Sequence, residues 1–212
     1  MRAITMSAPG GPEVLQLTDI PEPTPAPEQL LVRVRATALN RADTLQRRGQ
    51  YPPPQGESDI LGLELAGEVE VVGSAAQGFR AGDRVFGLIG GGGYAEKALI
   101  DYRLAMLIPA GWSFVEAAAV PEVFFTANET LVTLGQLAPG ETVLIHAGAS
   151  GVGTAGIQMA RQIGARVFAT AGSPEKIARL MDLGLDAGIN YKTEDFAVRV
   201  RALTNNSGVE LV

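Results

Sequence analysis

Thr142-Val143-Leu144-Ile145-His146-Ala147-Gly148-Ala149-Ser150-Gly151-Val152-Gly153 decides the fold. An apolar run runs into a turn of small residues. The next segment carries Val152, Ala155, Met159 and Ile163 at helical spacing and stops at Gly164. A β-rich run, Arg166-Val167-Phe168-Ala169-Thr170, comes after it. Strand, glycine turn, helix and strand in this order form the βαβ unit that holds a dinucleotide. Glycines let the backbone turn tightly against a pyrophosphate, and the helix start offers unpaired N–H groups and a positive dipole end. Gly148, Gly151 and Gly153 are present, but Ser150 stands where the usual pattern has its second glycine.

The end of the second strand bears on which nucleotide is held. NAD sites commonly place Asp or Glu there to accept from the ribose hydroxyl. Here the strand end reads Thr170-Ala171-Gly172-Ser173-Pro174-Glu175-Lys176, with no carboxylate at the end itself. Gly172 and Ser173 can donate to a phosphate and Lys176 adds positive charge, which favours NADPH; Glu175 counts mildly against it. Ser173-Pro174 also reads as an ordinary helix start, with Ser as cap and Pro in the first turn.

Outward from this centre, the 212 residues supply enough apolar sequence for one large or two smaller cores. A net charge of −6 and no basic cluster beyond Arg47-Arg48 speak against a nucleic-acid partner. No apolar run approaches the ~20 residues that span a bilayer, and the N-terminus lacks a secretory core, so a cytoplasmic protein is expected. Cysteine is absent and His146 is the one histidine. Thiolate chemistry is thereby excluded, and a zinc centre is not expected. His146 reads as a partly buried strand residue bonded to neighbouring backbone.

Residues 1 to 118 read as many short strands separated by turns, the pattern of a small β barrel. Expected strands include Ala3–Met6, Val14–Leu17, Leu30–Ala36, Ile60–Gly73 and Ala95–Ile100, with Pro21–Pro27 a stiff connection and Gly90–Gly93 a flexible loop. Within 37–54, Asn40 caps a short helix, with Asp43 as the acidic member of the capping pair. Asn40, Asp43 and Tyr51 are polar groups that could line a cleft near a nicotinamide. From 119 onward the pattern turns to helices alternating with strands. Glu122 to Leu134 reads as a helix ending at Gly135; Thr126 on it faces either the cleft or ordinary surroundings. Thr193 is the expected cap of a last helix. Val209–Val212 is strand-like, giving four strands from Thr142 onward, so the chain is expected to stop inside its nucleotide domain.

These segments closely resemble the zinc-free quinone oxidoreductases of the medium-chain dehydrogenase/reductase superfamily, nearest the p53-inducible type. Leu39-Asn40-Arg41-Ala42-Asp43, Arg48-Gly49-Gln50-Tyr51, Ile60-Leu61-Gly62-Leu63-Glu64, Ala117-Ala118-Ala119-Val120-Pro121-Glu122, His146 to Ala155 and Ile189 to Phe196 carry the likeness. Zinc-using relatives have His where this chain has Leu63. The resemblance implies a GroES-like β-barrel domain over 1–118 and the first half of a Rossmann domain over 119–212, an α/β plus β architecture. It implies NADPH as cofactor, a small-molecule quinone as substrate and a homodimer for the full-length protein. It places Gly172, Ser173, Lys176 and Tyr191 at the phosphate and Ser150, Gly151, Val152 and Gly153, after Gly148, at the diphosphate. On the nicotinamide side it places Asn40, Asp43, Tyr51 and Thr126. An enone or enoyl reductase and a non-enzymatic NADPH-binding protein are the alternatives.

Overall fold

The computed structural model describes residues 1–212. The chain divides into two compact units, Met1–Glu122 and Val123–Val212. No helix is long and apolar enough to cross a membrane.

Unit 1 is built on a curled antiparallel sheet of β3 (Gln29–Ala36), β4 (Glu64–Val72), β5 (Arg84–Leu88), β6 (Lys97–Asp101) and β7 (Ala105–Leu107), ordered β6-β3-β4-β5-β7. A separate hairpin pairs β1 (Arg2–Met6) with β2 (Leu15–Asp19) and joins the rest through a bridge from Ala3 to Ala95. The sheet is the half-barrel of the expected GroES-like domain. Period-2 alternation sends Leu30, Val32, Leu65, Val69, Val85 and Ile100 to one core. On the other side Ala66 and Phe86 pack with Ala117 and Ala118 of α2 (Phe114–Ala118). That helix explains why the first half of β4 is buried on both faces while its second half alternates. Each Leu, Ile or Val so buried contributes about 1.5–3 kcal/mol relative to exposure. β4 begins at Glu64, later than the expected Ile60, because residues 60–62 instead accept from the loop at 92–94. Gly92 donates to the Ile60 carbonyl at 2.7 Å, Tyr94 to Leu61 at 2.9 Å and Gly93 to Gly62 at 3.0 Å. The glycine run is therefore packed, not free: a Cβ on Gly91 would lie 2.3 Å from the Ser58 carbonyl oxygen and one on Gly93 2.7 Å from that of Glu64. Between β3 and β4 lies α1 (Arg41–Arg47).

Unit 2 has a parallel sheet of β8 (Thr142–Ile145), β9 (Arg166–Ala171) and β10 (Ala187–Asn190), ordered β10-β9-β8. The connecting helices are α4 (Gly151–Ile163) and α5 (Pro174–Met181), with α6 (Phe196–Leu203) after β10. β9 is buried from Val167 to Ala171 because both faces are covered, as parallel sheets require. Val143, Val167, Ala169, Ile157, Ala160 and Leu180 form one core; Leu144, Phe168, Ile189 and Val200 form the other. The expected fourth strand is reduced to one parallel bridge, Leu211 to Val143, with Leu144 donating to the Leu211 carbonyl at 2.9 Å. Because β9 occupies one edge of β8, Leu211 takes the other. The direction of winding therefore reverses at β8, the switch point of a doubly wound sheet.

The helix expected over 122–134 is present and ends at Gly135, but its second half differs in type, and α6 differs in its cap. The segment after Pro121 is α-helical as α3 (Pro121–Asn128) and then widens to a π turn over Glu129–Leu134. Thr130 Oγ1 bonds the Thr126 carbonyl at 2.8 Å, competing with the regular backbone ladder there. α6 is capped by Asp195, whose Oδ1 accepts from Ala197 and Val198, rather than by Thr193, whose hydroxyl donates to the Asn190 carbonyl.

Candidate active site

In unit 2 the turn after β8 is shaped by one buried hydroxyl. Thr170 is 3 % exposed. Its Oγ1 accepts from the Ala147 N–H at 3.2 Å and lies 3.2 Å from His146 Nδ1, while its carbonyl accepts from Gly148 N–H at 2.8 Å. His146 is thus exposed and held by a side chain, with the Phe196 ring edge-on at 4.8 Å, and is not bonded to neighbouring backbone as expected. Ala147 takes a left-handed φ of 51°. The chain then passes so close to itself that a Cβ on Gly153 would sit 2.5 Å from the Ala147 carbonyl oxygen, and one on Gly148 2.7 Å from the Ala169 Cβ. Ser150 caps α4 by accepting from Gly153 N–H at 3.1 Å. The N–H groups of Gly151 and Val152 are left without a partner in the chain, at the positive end of a helix of 13 residues.

Beside this turn, Ser173 caps α5, accepting from Lys176 N–H at 3.4 Å, with Pro174 in the first turn. A Cβ on Gly172 would lie 2.6 Å from the Tyr191 hydroxyl oxygen. A pocket of about 230 Å³ is lined by Ala147, Ala149, Ser150, Ala171, Gly172, Lys176 and Tyr191. The structure therefore brings together Ser150, Gly172, Lys176 and Tyr191, with the Gly148–Gly153 turn at their side. Ser173 acts as the helix cap rather than as a lining residue. Thr126 stands apart: it is exposed, and its carbonyl accepts from Thr130. Lys176 forms no ion pair within the chain, so its charge is free for an anion. Glu175, in the same helix turn, is held below the usual carboxylate range by the Ser173 hydroxyl and by a backbone N–H. The glycines that a Cβ would clash with, the two unpartnered N–H groups and the lysine fit a dinucleotide phosphate.

In unit 1 Asn40 and Asp43, the expected capping pair of α1, also belong to a buried carboxylate network. Asp43, 4 % exposed, accepts through Oδ2 from Asn40 N–H at 2.7 Å and the Tyr94 hydroxyl at 2.8 Å, and through Oδ1 from Gly62 N–H at 3.2 Å. Asn40 Nδ2 donates to Glu64 Oε1 at 2.7 Å, and Glu64 Oε2 accepts from Glu122 N–H at 2.9 Å. Glu64 is 1 % exposed. Burial pushes its pKa up, its two donors pull it down, and Asp43 pushes it up again. Burial also raises Glu122, with Glu64 and Asp43 adding to the rise. Tyr94 is raised by burial and by its bond to Asp43. Asn40 and Asp43 are therefore joined to each other, but Tyr51 is not part of their network. Tyr51, 46 % exposed, lies in an apolar groove of about 240 Å³ with Pro54, Leu63, Leu88, Ile89, Gly90, Leu104 and Glu122.

Glu64, Tyr94, Glu122 and Thr170 were not singled out by sequence reasoning. Glu64 carried a signal: a carboxylate inside Leu61-Gly62-Leu63-Glu64-Leu65-Ala66 is costly to bury without a purpose. The other three gain their roles only from partners distant in sequence.

Family models match two parts of the chain: an alcohol dehydrogenase GroES-like domain over residues 26–110 and a zinc-binding dehydrogenase domain over 151–212. Among curated relatives, phthioceranic/hydroxyphthioceranic acid synthase of Mycobacterium tuberculosis is 36 % identical over 209 residues, 99 % of this chain and 10 % of that protein. Erythronolide synthase EryA2 of Saccharopolyspora erythraea is 43 % identical over 199 residues, 90 % of this chain and 5 % of that protein. The chain thus spans a tenth or less of these relatives. Among solved structures, the quinone oxidoreductase of Escherichia coli complexed with NADPH has a TM-score of 0.90 at 34 % identity, over 99 % of this chain and 64 % of that one. CurK enoyl reductase has a TM-score of 0.91 at 33 % identity, over 98 % and 65 %. An NAD-dependent alcohol dehydrogenase has a TM-score of 0.89 at 37 % identity, over 99 % and 69 %. The zinc in one model's description does not fit this chain: cysteine is absent, the one histidine is bonded to Thr170, and no three His, Asp or Glu side chains cluster as ligands.

Proposed function

The chain belongs to the medium-chain dehydrogenase/reductase superfamily, and on that premise we propose that it reduces quinones with NADPH, without a metal. The observation that carries this reading is Leu63. At the position where zinc-using members have a histidine ligand, this chain puts an apolar side chain into the wall of the Tyr51 groove. A quinone is already electrophilic and flat, so it needs an apolar slot and a hydrogen-bond donor rather than a Lewis acid.

NADPH supplies the hydride. Gly148, Gly151 and Gly153 let the backbone approach the diphosphate, Ser150 sets the start of α4, and the Gly151 and Val152 N–H groups meet the anion. Lys176, beside Gly172 and Tyr191, meets the 2′-phosphate, and this free cation is what favours NADPH over NADH. In unit 1, Pro54, Leu63, Leu88, Ile89 and Leu104 hold the acceptor ring and exclude water, and the Tyr51 hydroxyl donates to its oxygen. Asn40 and Asp43 act through position: they fix the loop before α1 onto Glu64 and Gly62.

A second reading has its own support. CurK enoyl reductase superposes on the chain, and both curated relatives named above are synthases of far greater length. On that reading the acceptor is an α,β-unsaturated thioester, and Tyr51 gives a proton to the carbon or oxygen of the enolate. Steady-state kinetics with NADPH and NADH against 1,4-benzoquinone, 9,10-phenanthrenequinone and crotonyl thioester test both. Quinone turnover that Tyr51→Phe lowers but does not abolish supports the first reading; thioester turnover abolished by Tyr51→Phe supports the second. No turnover with any acceptor overturns both.

A further inference from the structure

We propose that the Glu122 side chain is a proton donor to the carbonyl oxygen of the acceptor held in the Tyr51 groove. The proposal deepens the reductase reading and rests on it. Glu122 is half-buried at the start of α3 and lines the groove with Tyr51 and Leu63. Its backbone and side chain have separate tasks. The N–H is committed to Glu64 at 2.9 Å, which fixes where the side chain starts. The carboxyl has no hydrogen-bond partner and no cation in the chain, so its capacity points to something outside it. Charged neighbours face it from two elements, Glu64 on β4 and Asp43 on α1, and both are acidic. Tyr51 is the other titratable group of the groove, and no Lys or Arg lines it. Apolar walls and two anions together disfavour a third anion, so the acid form of Glu122 persists above the usual carboxylate range.

The step balances simply. Bound NADPH would supply the hydride, leaving an electron pair on the carbonyl oxygen of the acceptor. The Glu122 O–H bond breaks as the new O–H bond forms, and the carboxylate is reprotonated from solvent. A donor whose acid form is favoured by its surroundings and which ionises during turnover suits this work.

The test compares Glu122→Gln and Glu122→Asp with the unaltered protein. The Gln side chain keeps a hydrogen-bond donor and the backbone tie to Glu64 but cannot release a proton. Expected are an alkaline fall in kcat of the unaltered protein that Glu122→Gln removes, a roughly 10²-fold loss of kcat in Glu122→Gln, partial recovery in Glu122→Asp, and unchanged NADPH affinity. In parallel, ¹³C NMR of glutamate carboxyls, assigned by difference with Glu122→Gln, follows ionisation and the effect of added 2-cyclohexenone without nicotinamide. Glu122 is expected to titrate above the ordinary range and to shift when the enone binds. Unchanged kcat and pH profile in Glu122→Gln would overturn the proposal, as would ordinary titration or no response to the enone. If the unaltered protein reduces no acceptor, the reductase reading fails on its own. The NMR arm then still decides: a shift on enone binding keeps Glu122 as the contact to a carbonyl, and no shift removes it.

Discussion

Asn40 Nδ2 and Glu64 Oε1 meet at 2.7 Å across 24 residues of sequence, and through this bond the loop before α1 is fixed to the first residue of β4. A carboxylate that is 1 % exposed is kept in an apolar strand by two donors, Asn40 and the Glu122 N–H. Removing one donor leaves part of that charge unpaired in low dielectric. Asn40→Ala should destabilise unit 1 by about 1–3 kcal/mol, read as a lower urea midpoint of its transition. A midpoint unchanged within error would show that the bond carries no net stability.

The same carboxylates set a pH dependence with a definite sign. Glu64 and Glu122 both have folded pKa values raised above the ordinary 4.5. For such groups the native state binds protons more tightly than the unfolded state. Their contribution is therefore complete below the ordinary value and is lost as pH rises through the raised folded values. Glu70, lowered by its bond to Lys97, and Glu96, lowered by the Arg2 backbone N–H and guanidinium, act in the opposite sense, so the comparison must be differential. Glu122→Gln should match the unaltered protein in acid and exceed it in stability towards neutrality. Urea midpoints over a pH series check this, and parallel curves for the two proteins would refute it.

Gly153 lies where a helix would ordinarily gain from alanine by about 0.5–1 kcal/mol. Here the added Cβ meets the Ala147 carbonyl oxygen at 2.5 Å and the Gly148 backbone at 2.7 Å. Neither atom is the end of a flexible side chain, so the clash wins over the propensity. Gly153→Ala should destabilise unit 2 by about 1–3 kcal/mol and abolish measurable binding of NADPH and NADH alike. Retained nucleotide binding with raised stability would remove the turn from the proposed site.

Lys176 is the cation of the unit 2 pocket, and no carboxylate lines that pocket with it. Lys176→Ala should weaken NADPH at least about tenfold, ~1.4 kcal/mol, and leave NADH within about twofold. Fluorescence titration with both nucleotides measures this, and the NADPH loss should shrink as salt is raised. Equal losses for both nucleotides would defeat the 2′-phosphate assignment.

Much of the nucleotide unit was legible in the sequence because its signals are local. The period of Val143 to Ile145, the cap at Ser150, the stop at Gly164 and the Ser173-Pro174 start each act within one helix turn or one strand. Asn40 and Asp43 were legible as a capping pair for the same reason. Their engagement with Glu64, Gly62 and Tyr94 was not, since those partners come from other strands and loops. The glycine run at 90–93 read as flexible because composition shows freedom and hides the backbone already packed against it. Thr193 gave way to Asp195 as a cap because a carboxylate accepting two N–H groups outcompetes a hydroxyl bonded to Asn190.

By itself the sequence determined the order of elements, a barrel-type β unit followed by a βαβ nucleotide unit, and excluded thiolate chemistry through its lack of cysteine. Hydrophobic period and capping chemistry are short-range, so they survive in a linear text. Only the tertiary structure decided which polar side chains are spent on each other and which remain available. It buried Asp43 and Glu64 with their donors and left Tyr51, Glu122 and Lys176 facing pockets, because burial and hydrogen-bond satisfaction depend on neighbours that folding alone brings together.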